Sequence, residues 1–545
     1  MLPFDNLSEG DRDFSFGDAV QGEILIDLAK IADLKVISRT SVMHYRTPAK
    51  RNLREIAKDL GVTFVVEGSV TRAGERVRVS AQLIDAATDT HVWADRYERD
   101  LKDVFLLQSE IAKKIADQLH ATITASERSA IDKAPTSDLT AYNLYSRAQI
   151  LWGNASDPMH GGERLFEAAR LLEQAVERDP KFLLAWCLLA KTRAALYAHY
   201  DRTALRSEMA KAAAEKALLL EPNAGETHLA LACYHYYCHR DYDAARKELV
   251  LAHAALPNDA EVSQYSGLMD RRQGRWEGAT RSLEQALQLD PRNLFIIQQL
   301  ALTYLPQRRY DDETRMWDRL LTIAPGDPLT RISRSLVELH SRADIKPYEF
   351  ALATLLKTAP THAADLDLPT YALCGRNPDA VARALSSYPD KGILQDGVLV
   401  PRAYWEGTIA LGRGDHARAR VAFTAARAEL AKTLEQKPDL PAALSWLGII
   451  DAGLGRPEGA IEAGRRACEL LPISGDAIDG AVLAVNLAQI YTWAGETDLA
   501  IAQIELLARI PSELSYGMLT LHPYWDSLRG DTRFRAIVAS LAPKK

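Results

Sequence analysis

The sequence predicts an α/β domain at the N-terminus followed by an all-α solenoid, a right-handed superhelix of helix–turn–helix repeats. Two observations predict this fold class. In the first 130 residues, apolar positions switch between helical spacing and the two-residue alternation of a half-buried strand. After a linker around Pro135, the strand pattern disappears and a short phrase that ends in proline recurs, mostly at steps of 34 or 35 residues. The first part therefore predicts a layered sheet, and the second part predicts a repeat array.

The N-terminal elements follow from local patterns. Val20, Ile24 and Leu28 define one helical stripe, and Asn52 begins a further helix that Gly61 ends. The predicted order is a possible first strand, then helix, strand, helix, three strands and a helix. The predicted bounds are a helix at 17–32, a strand at 34–39, a helix at 52–61, strands at 63–70, 76–83 and 91–97, and a helix at 100–123.

The repeat is found by comparing the second part of the chain with itself. A step of 34 residues is the period of the tetratricopeptide repeat (TPR), a helix–turn–helix unit. The longer step before Pro222 predicts an insertion around 201–206, and the pattern is degenerate near 366–399. The prolines that close the predicted units are Pro180, Pro222, Pro257, Pro291, Pro325, Pro360, Pro438 and Pro472.

Four segments are predicted along the chain. Residues 1–130 form the α/β domain and 131–140 the linker. The repeat array covers 141–515, and 516–545 close it. We expect the α/β domain to cover the apolar surface of the first repeat, which a terminal repeat otherwise exposes.

Composition and charge exclude several classes of function. The chain has 545 residues with 66 Lys+Arg and 73 Asp+Glu, a net charge of −7. Without a dense basic run, we expect no direct binding of nucleic acid. The N-terminal residues resemble no secretory signal, and no stretch is long and apolar enough to span a bilayer. We therefore expect a cytoplasmic protein that does not bind membranes, with five free cysteines.

Sequence motifs give no support for catalysis. The chain has no phosphate-binding glycine loop and no metalloprotease or nucleophile-elbow motif. His239-Arg240-Asp241 resembles a kinase catalytic triplet, but Arg246 stands where that motif needs asparagine. His228, His235 and His239 share one helical face, which fits either packing against an adjacent repeat or a metal site. We expect no enzyme activity, no cofactor and no resident metal.

Parts of the sequence also resemble a known family. LPFDNLS at 2–8, VISRTS at 36–41 and the block at 53–101 resemble the TolB amino-terminal-like domain, and LHPYWDSLRGDTRF at 521–534 resembles the closing segment of its TPR arrays. In bacterial signalling proteins that domain often precedes TPR repeats. There it commonly follows a CadC-like winged-helix domain, a class III adenylate cyclase domain or a Ser/Thr kinase domain. This chain begins at the TolB-like domain itself, so we expect such an effector to be missing from it.

These features predict a non-enzymatic scaffold or adaptor in bacterial signalling, with a protein or peptide bound in the concave TPR groove. The alternative is the regulatory sensor module of a larger cyclase, kinase or transcriptional regulator. Known TPR proteins place fixed positions of the first helix in the groove, and Arg271 and Arg272 are then candidates for clamping a carboxylate. The competing interpretation is that these side chains are solvated or pack against adjacent helices. The predicted groove residues are Thr227, Tyr234, Tyr237, Glu261, Gln264, Arg271, Arg272, Phe295 and Gln298.

Overall fold

The computed structural model describes residues 1–8, 15–46, 52–155, 161–360, 368–386, 388–395 and 398–543. Its contacts divide the chain into two compact units, which we call unit 1 and unit 2. Unit 1 comprises Met1–Met269 and Arg281–Ile296, and unit 2 comprises Asp270–Thr280 and Ile297–Lys545. None of the helices in the described part of the chain has the length and apolar composition needed to cross a bilayer.

The N-terminal part of unit 1 contains a four-stranded sheet in the order β1-β2-β3-β4. Strand β1 is parallel to β2, and the other neighbours are antiparallel. Alternate residues of β3, from Val77 to Leu83, are buried, as the two-residue period predicts. The elements are β1 Asp5–Asn6, α1 Ser15–Ala29, α2 Arg39–Val42, α3 Leu53–Leu60, β2 Phe64–Ala73, β3 Arg76–Asp85, β4 Thr90–Asp100, α4 Val104–Gln118 and α5 Ala125–Ile131.

The predicted helix and turn signals in this region are confirmed. The Asn52 side chain accepts a hydrogen bond from the backbone N–H of Glu55 at the start of α3. Gly61 ends that helix with a φ of 65°, a left-handed conformation that suits glycine. Gly74 has a φ of 60° in the tight turn between β2 and β3.

Three predictions for this region are wrong. Residues 34–39 do not form a strand: the backbone N–H of Ser38 donates instead to the carbonyl of Leu289, 2.8 Å away, and α2 follows immediately. Asp100 does not cap the long helix, because Leu101–Asp103 form a 3-10 turn before α4. Helix α4 also stops at Gln118, short of the predicted end at Ile123.

The repeat region consists of consecutive helix pairs, which confirms the TPR-type array. Each of the predicted closing prolines lies two residues after the end of a second helix, where its ring cannot continue the helix. The pairs are α6 Leu139–Gly153 with α7 Gly161–Arg178, α8 Leu183–His199 with α9 Ala204–Leu220, α10 Gly225–Tyr234 with α11 Tyr242–Ala255, α12 Ala260–Arg272 with α13 Trp276–Leu289, α14 Leu294–Tyr304 with α15 Tyr310–Ile323, α16 Pro328–Arg342 with α17 Lys346–Thr358, α18 Leu368–Leu373 with α19 Pro378–Ser386, α20 Arg402–Gly412 with α21 His416–Gln436, α22 Pro441–Gly453 with α23 Pro457–Leu470, and α24 Asp479–Ala494 with α25 Thr497–Arg509.

The long step before Pro222 is not an inserted loop. Helices α8 and α9 each have 17 residues, whereas α12 and α13 of a 34-residue unit have 13 and 14. The extra residues therefore lengthen both helices, and only 200–203 connect them. Helix α9 is consequently longer than most second helices of the array.

The degenerate stretch holds the short helices α18 and α19 and two strands that the sequence did not predict. Strands β5 Ile393–Gln395 and β6 Val398–Val400 form a small antiparallel hairpin. Residues 361–367 lie outside the described residues. The closing segment contains α26 Tyr516–Leu521, a 3-10 turn at Pro523–Leu528 and α27 Thr532–Ser540.

The N-terminal elements were expected to cover the first repeat. They also contact later repeats of the array. Helix α1 packs against α6. The Asn258 side chain donates to the carbonyl of Ile31 at 3.0 Å, and Arg292 forms an ion pair with Asp59 at 2.9 Å. These contacts lie within unit 1 and reach the loops that follow α11 and α13. The domain boundaries given above stay a prediction.

A buried carboxylate in α15 allows a first test of the helix packing in unit 2. Trp317 donates its indole N–H to Glu313 Oε1 at 3.2 Å, while Oε2 has no hydrogen-bond partner among the described residues. Burial raises the pKa of Glu313 to about 7, although the Trp317 hydrogen bond and the charge of Arg334 oppose the shift. The folded protein thus binds this proton more tightly than the unfolded chain does.

We expect Glu313→Gln to raise the free energy of unfolding above pH 7 by about 1–3 kcal/mol. A raised carboxyl pKa gives stability that is complete below the ordinary value of 4.5 and is lost as pH rises through about 7. The variant should therefore melt higher than the wild type at pH 8 and show no such gain at pH 4.5. Glu458→Gln, at an exposed glutamate, is the control. Equal shifts for both variants would contradict the assignment.

Candidate partner-binding surface

The predicted groove residues of unit 1 are mostly enclosed. Thr227 and Gln264 are buried, and Phe295 is half-buried. The hydroxyl of Tyr234 lies 2.7 Å from Nε2 of His239, and Tyr237 accepts from the hydroxyl of Tyr265 at 3.4 Å.

Glu261 is occupied by a partner from its own unit. Lys191 on α8 forms an ion pair with this carboxylate and lies 5.4 Å from the centre of the Trp152 ring. Burial alone lowers the pKa of Lys191, but the Glu261 carboxylate raises it above its ordinary value. The lysine is therefore charged and paired, and Glu261 is not an open acceptor for a ligand.

The predicted groove residues of unit 2 are also engaged, except for the exposed Gln298. The Arg271 guanidinium donates to Gln299 Oε1 at 2.7 Å and to Thr303 Oγ1 at 3.2 Å. Arg272 does bind carboxylates, but they belong to the chain itself: Asp476 at 3.1 Å and Asp479 at 2.5 Å. The predicted clamp is therefore filled within unit 2.

A second set of contacts within unit 2 joins Arg308 to residues near the C-terminal end of the array. Arg308 has a left-handed φ of 56° in the turn between α14 and α15. Its guanidinium donates to the backbone carbonyls of Leu507, Ile510 and Leu514 at 2.9–3.2 Å. The backbone N–H of Ser512 donates back to the carbonyl of Pro306 at 3.0 Å. Residues 507–514 are thus bonded to the turn between α14 and α15.

The three histidines do not converge on one point: His228 lies in α10, whereas His235 and His239 belong to the π-helical turn that follows it. Nδ1 of His228 lies 2.6 Å from Glu248 Oε2, whereas His239 pairs with Tyr234. No group of three or more His, Cys, Asp or Glu side chains in the described ranges is arranged to hold a metal ion. Arg240 has a φ of 53° in the turn before α11, and Asp241 caps that helix through the N–H of Ala244. The kinase-like triplet is therefore a helix-capping turn.

The most exposed apolar surface on a helix of unit 1 is one face of α9, which we call the α9 face. It consists of Leu205, Glu208, Ala212, Glu215 and Leu219, which are all exposed and follow one another at steps of three and four residues. Leu205 is 71% exposed and Leu219 is 81% exposed. An apolar residue therefore recurs every seven positions, flanked by two glutamates.

The sequence of α9 explains why this face is outside. Thr203 caps the helix by accepting from the N–H of Arg206. The opposite side carries Ala210, Ala213 and Ala217, which are fully buried against the array. Small residues on that side allow α9 to pack closely on the neighbouring helices. The leucines lie on the other side of α9 and therefore stay outside the core. The sequence analysis placed the candidate site on first helices only. The alanine stripe and the leucine stripe on opposite sides of α9 were missed, although their spacing is visible in the sequence.

The α9 face borders one residue of the predicted groove. The pKa of Tyr234 is raised above its ordinary value by burial and then by the nearby Cys238, Glu208 and Glu215. The two glutamates of the α9 face are thus close enough to the Tyr234 hydroxyl for their charges to act on it. Tyr234 itself is buried and bonded to His239, so it supports this surface rather than forming it.

Comparison with known proteins gives one curated relative. A putative adenylate cyclase 3 from Rhizobium meliloti (strain 1021) is 38% identical over 194 residues, which cover 35% of this chain. The matched region is 31% of the relative, so the chain spans about a third of that protein's length. No protein-family model matches the chain.

Several solved structures match parts of the chain at low identity. A TPR protein from Thermus thermophilus matches at 21% identity and a TM-score of 0.30, covering 35% of this chain and 99% of its own. The type IV pilus biogenesis factor PilW matches at 18% and 0.31, covering 39% and 94%. A human IFIT1 dimer with PPP-AAAA matches at 15% identity and a TM-score of 0.37, covering 68% of this chain and 79% of its own. With TM-scores below 0.5, the fold assignment rests on the helices described above.

Proposed function

We propose that this protein is a non-enzymatic protein-interaction scaffold and that the α9 face is its docking surface. The observation that carries the proposal is the pair of strongly exposed leucines, Leu205 and Leu219, on one helical face. Single exposed apolar residues are ordinary on a protein surface. Here Ala212 lies midway between the two leucines, so that apolar residues recur at the seven-residue spacing with which a helix contacts another helix.

The partner we propose is an amphipathic helix whose apolar face is flanked by Lys or Arg. Full burial of a leucine side chain contributes about 1.5–3 kcal/mol, so two leucines supply a substantial apolar contact. Glu208 and Glu215 favour basic residues beside that contact, which sets the register and the choice of partner. A partner in the inner groove is less well supported, because Glu261, Arg271 and Arg272 are paired within the chain.

We expect Leu219→Asp with Leu205→Asp to abolish capture of the partner by the full-length protein in the bacterium that expresses it. Partners are identified by quantitative affinity capture with the wild-type chain and then measured singly by titration. Because both leucines are already in water, the melting temperature should change by little. Affinity should fall at least about a hundredfold, since the apolar contact is replaced by a buried charge.

Val421→Asp is the matched control, since Val421 is 72% exposed on α21. It should leave capture unchanged. Reversing the flanking charges by Glu208→Lys and Glu215→Lys should weaken the same partner and reduce the salt dependence of binding. If the aspartate variants bind every partner as the wild type does, the docking surface lies elsewhere.

A second candidate function is the regulatory module of a larger signalling enzyme, located in the bacterial cytoplasm. The observation that favours it is the 38% identity with part of a putative adenylate cyclase about three times as long as the matched region. Measuring the intact mass of the native protein decides between the two. A polypeptide much longer than 545 residues, with cyclase activity in its additional part, supports the module.

A further inference from the structure

Unit 2 contains a partly open cavity with a volume of about 200 Å³. Helices α16, α18, α20, α22 and α24 contribute to its wall, and the residues around α26 complete it. Two of the hydrogen bonds that hold that closing segment lie beside the cavity: the hydroxyls of Tyr404 and Tyr524 are 2.8 Å apart, and His522 Nε2 donates to the carbonyl of Thr370 at 3.0 Å. A largely preformed space between helices is a common place for a small ligand.

The wall of this cavity is rich in aromatic rings. Tyr371, Tyr404, Trp446 and Tyr524 all contribute. The rings of Tyr404 and Trp446 meet edge to face with centroids 5.0 Å apart, so each is fixed by the other. Flat, rigid apolar walls suit a planar ligand, because ring contacts form without ordering flexible side chains.

Two wall side chains are buried without a hydrogen-bond partner. His340 and Gln489 are each only 4% exposed. Nδ1 of His340 and Nε2 of Gln489 have no partner among the described residues. His522 differs, because its Nδ1 accepts from the N–H of Tyr524 while its Nε2 donates to Thr370. A buried polar group without a partner destabilises the protein, so a ligand that pairs with it gains affinity.

Charge defines the ligand further. Glu513 is the one charged side chain among the described residues that line the cavity, and it is exposed. Burial lowers the pKa of His340 to about 4, so this ring is neutral at pH 7. A charged ligand would lose its hydration without meeting a buried counter-charge.

We propose that this cavity binds a small uncharged aromatic molecule that carries a carbonyl or hydroxyl oxygen. Its ring lies against the aromatic wall, and its oxygen accepts from the Gln489 amide. The volume limits the ligand to one or two rings, since a cavity of about 150 Å³ already accommodates benzene. This site is independent of the α9 face, which belongs to unit 1, so each proposal succeeds or fails alone.

The test uses the full-length protein and four probes of similar size: benzamide, benzoate, benzyltrimethylammonium and toluene. Binding is measured by saturation-transfer NMR up to ~10 mM, the range for fragments of this size. Benzamide should bind saturably, and benzoate and the ammonium ion at least about tenfold more weakly. Gln489→Leu should weaken benzamide about tenfold while toluene binds no more weakly than before. Gln174→Leu, at an exposed glutamine of unit 1, should change neither.

Filling the cavity locates the site. Ala442→Leu should abolish benzamide binding while the melting temperature stays near that of the wild type. If Ala442→Leu unfolds the protein, Val485→Leu is used in its place. The proposal is overturned if benzamide shows no saturable binding, if its binding survives the filled variant, or if Gln489→Leu leaves it unchanged. Preferential binding of the ammonium ion would overturn it too, because it would identify a cation-binding aromatic cage instead.

Discussion

Replacing Arg272 by alanine is expected to lower the free energy of unfolding of unit 2 by about 3–5 kcal/mol. The guanidinium lies 3.1 Å from a carboxylate oxygen of Asp476, whose side chain is only 1% exposed, and 2.5 Å from Asp479. Removing the arginine leaves a buried carboxylate without this counter-charge, and the cost of that exceeds the loss of an ordinary hydrogen bond. The measurement is urea unfolding at pH 7 followed by tryptophan fluorescence.

A double-mutant cycle separates the ion pair from other effects of the truncation. Asp476→Asn keeps an oxygen that accepts from the N–H groups of Ile478 and Asp479, but it removes the charge. The double variant should therefore be more stable than Arg272→Ala alone. Arg466→Ala, which removes an exposed pair with Asp439, should cost less than about 1 kcal/mol. Additive effects of Arg272→Ala and Asp476→Asn would show that the two side chains do not interact.

The contacts of the neighbouring Arg271 affect how a loss-of-binding experiment must be designed. Arg271→Ala would remove the hydrogen bonds to Gln299 and Thr303 from a buried position, so it destabilises unit 2 whatever its effect on a partner. The predicted groove residues are for this reason poor reporters of binding. Leu205 and Leu219 are better, because their side chains lie in water in the free protein.

The sequence predicts the repeats well because their signals are local. A proline two residues after a helix disfavours continuation of that helix whatever it packs against, because proline lacks the backbone N–H and restricts the preceding residue. Pro222, for example, follows the last residue of α9, Leu220, by two positions. Caps such as Asn52 and Gly61 act over a few residues in the same way. The ends of the second helices that precede these prolines could therefore be predicted without knowing what the helices pack against.

The sequence-based prediction of secondary structure is wrong where residues distant in the sequence form hydrogen bonds with the backbone. The apolar residues at 34–39 have strand character, but the N–H of Ser38 bonds to Leu289, about 250 positions along the chain. The contacts of the candidate groove residues could not be predicted for the same reason. The helix positions that face the groove in an open array are known, but the sequence does not reveal that Asp476 meets Arg272 or that residues 507–514 meet Arg308.

Gly517→Ala tests the closure of unit 2 at its C-terminal end. Helix α26 crosses α16 so closely that a Cβ atom at position 517 would lie 1.6 Å from the carbonyl oxygen of Leu339. It would also lie 2.7 Å from the carbonyl carbon of that residue. Both atoms belong to the backbone, so no side-chain rotation relieves the overlap. Helix α26 must move away from α16 or unit 2 must open.

We expect this single methyl group to destabilise unit 2 by more than the roughly 1–3 kcal/mol of ordinary overpacking. Helix propensity alone predicts the opposite sign, since alanine is favoured over glycine by about 1 kcal/mol inside a helix. Gly530→Ala is the control, because nothing lies within 4 Å of its added Cβ. Thermal unfolding and proteolysis of the segment after Pro511 report the difference. Because Met518, Tyr524 and Trp525 line the cavity, the variant should also lose benzamide binding. A melting temperature that matches the control would mean that α26 does not pack on α16 in solution, and the cavity would then lack its closing wall.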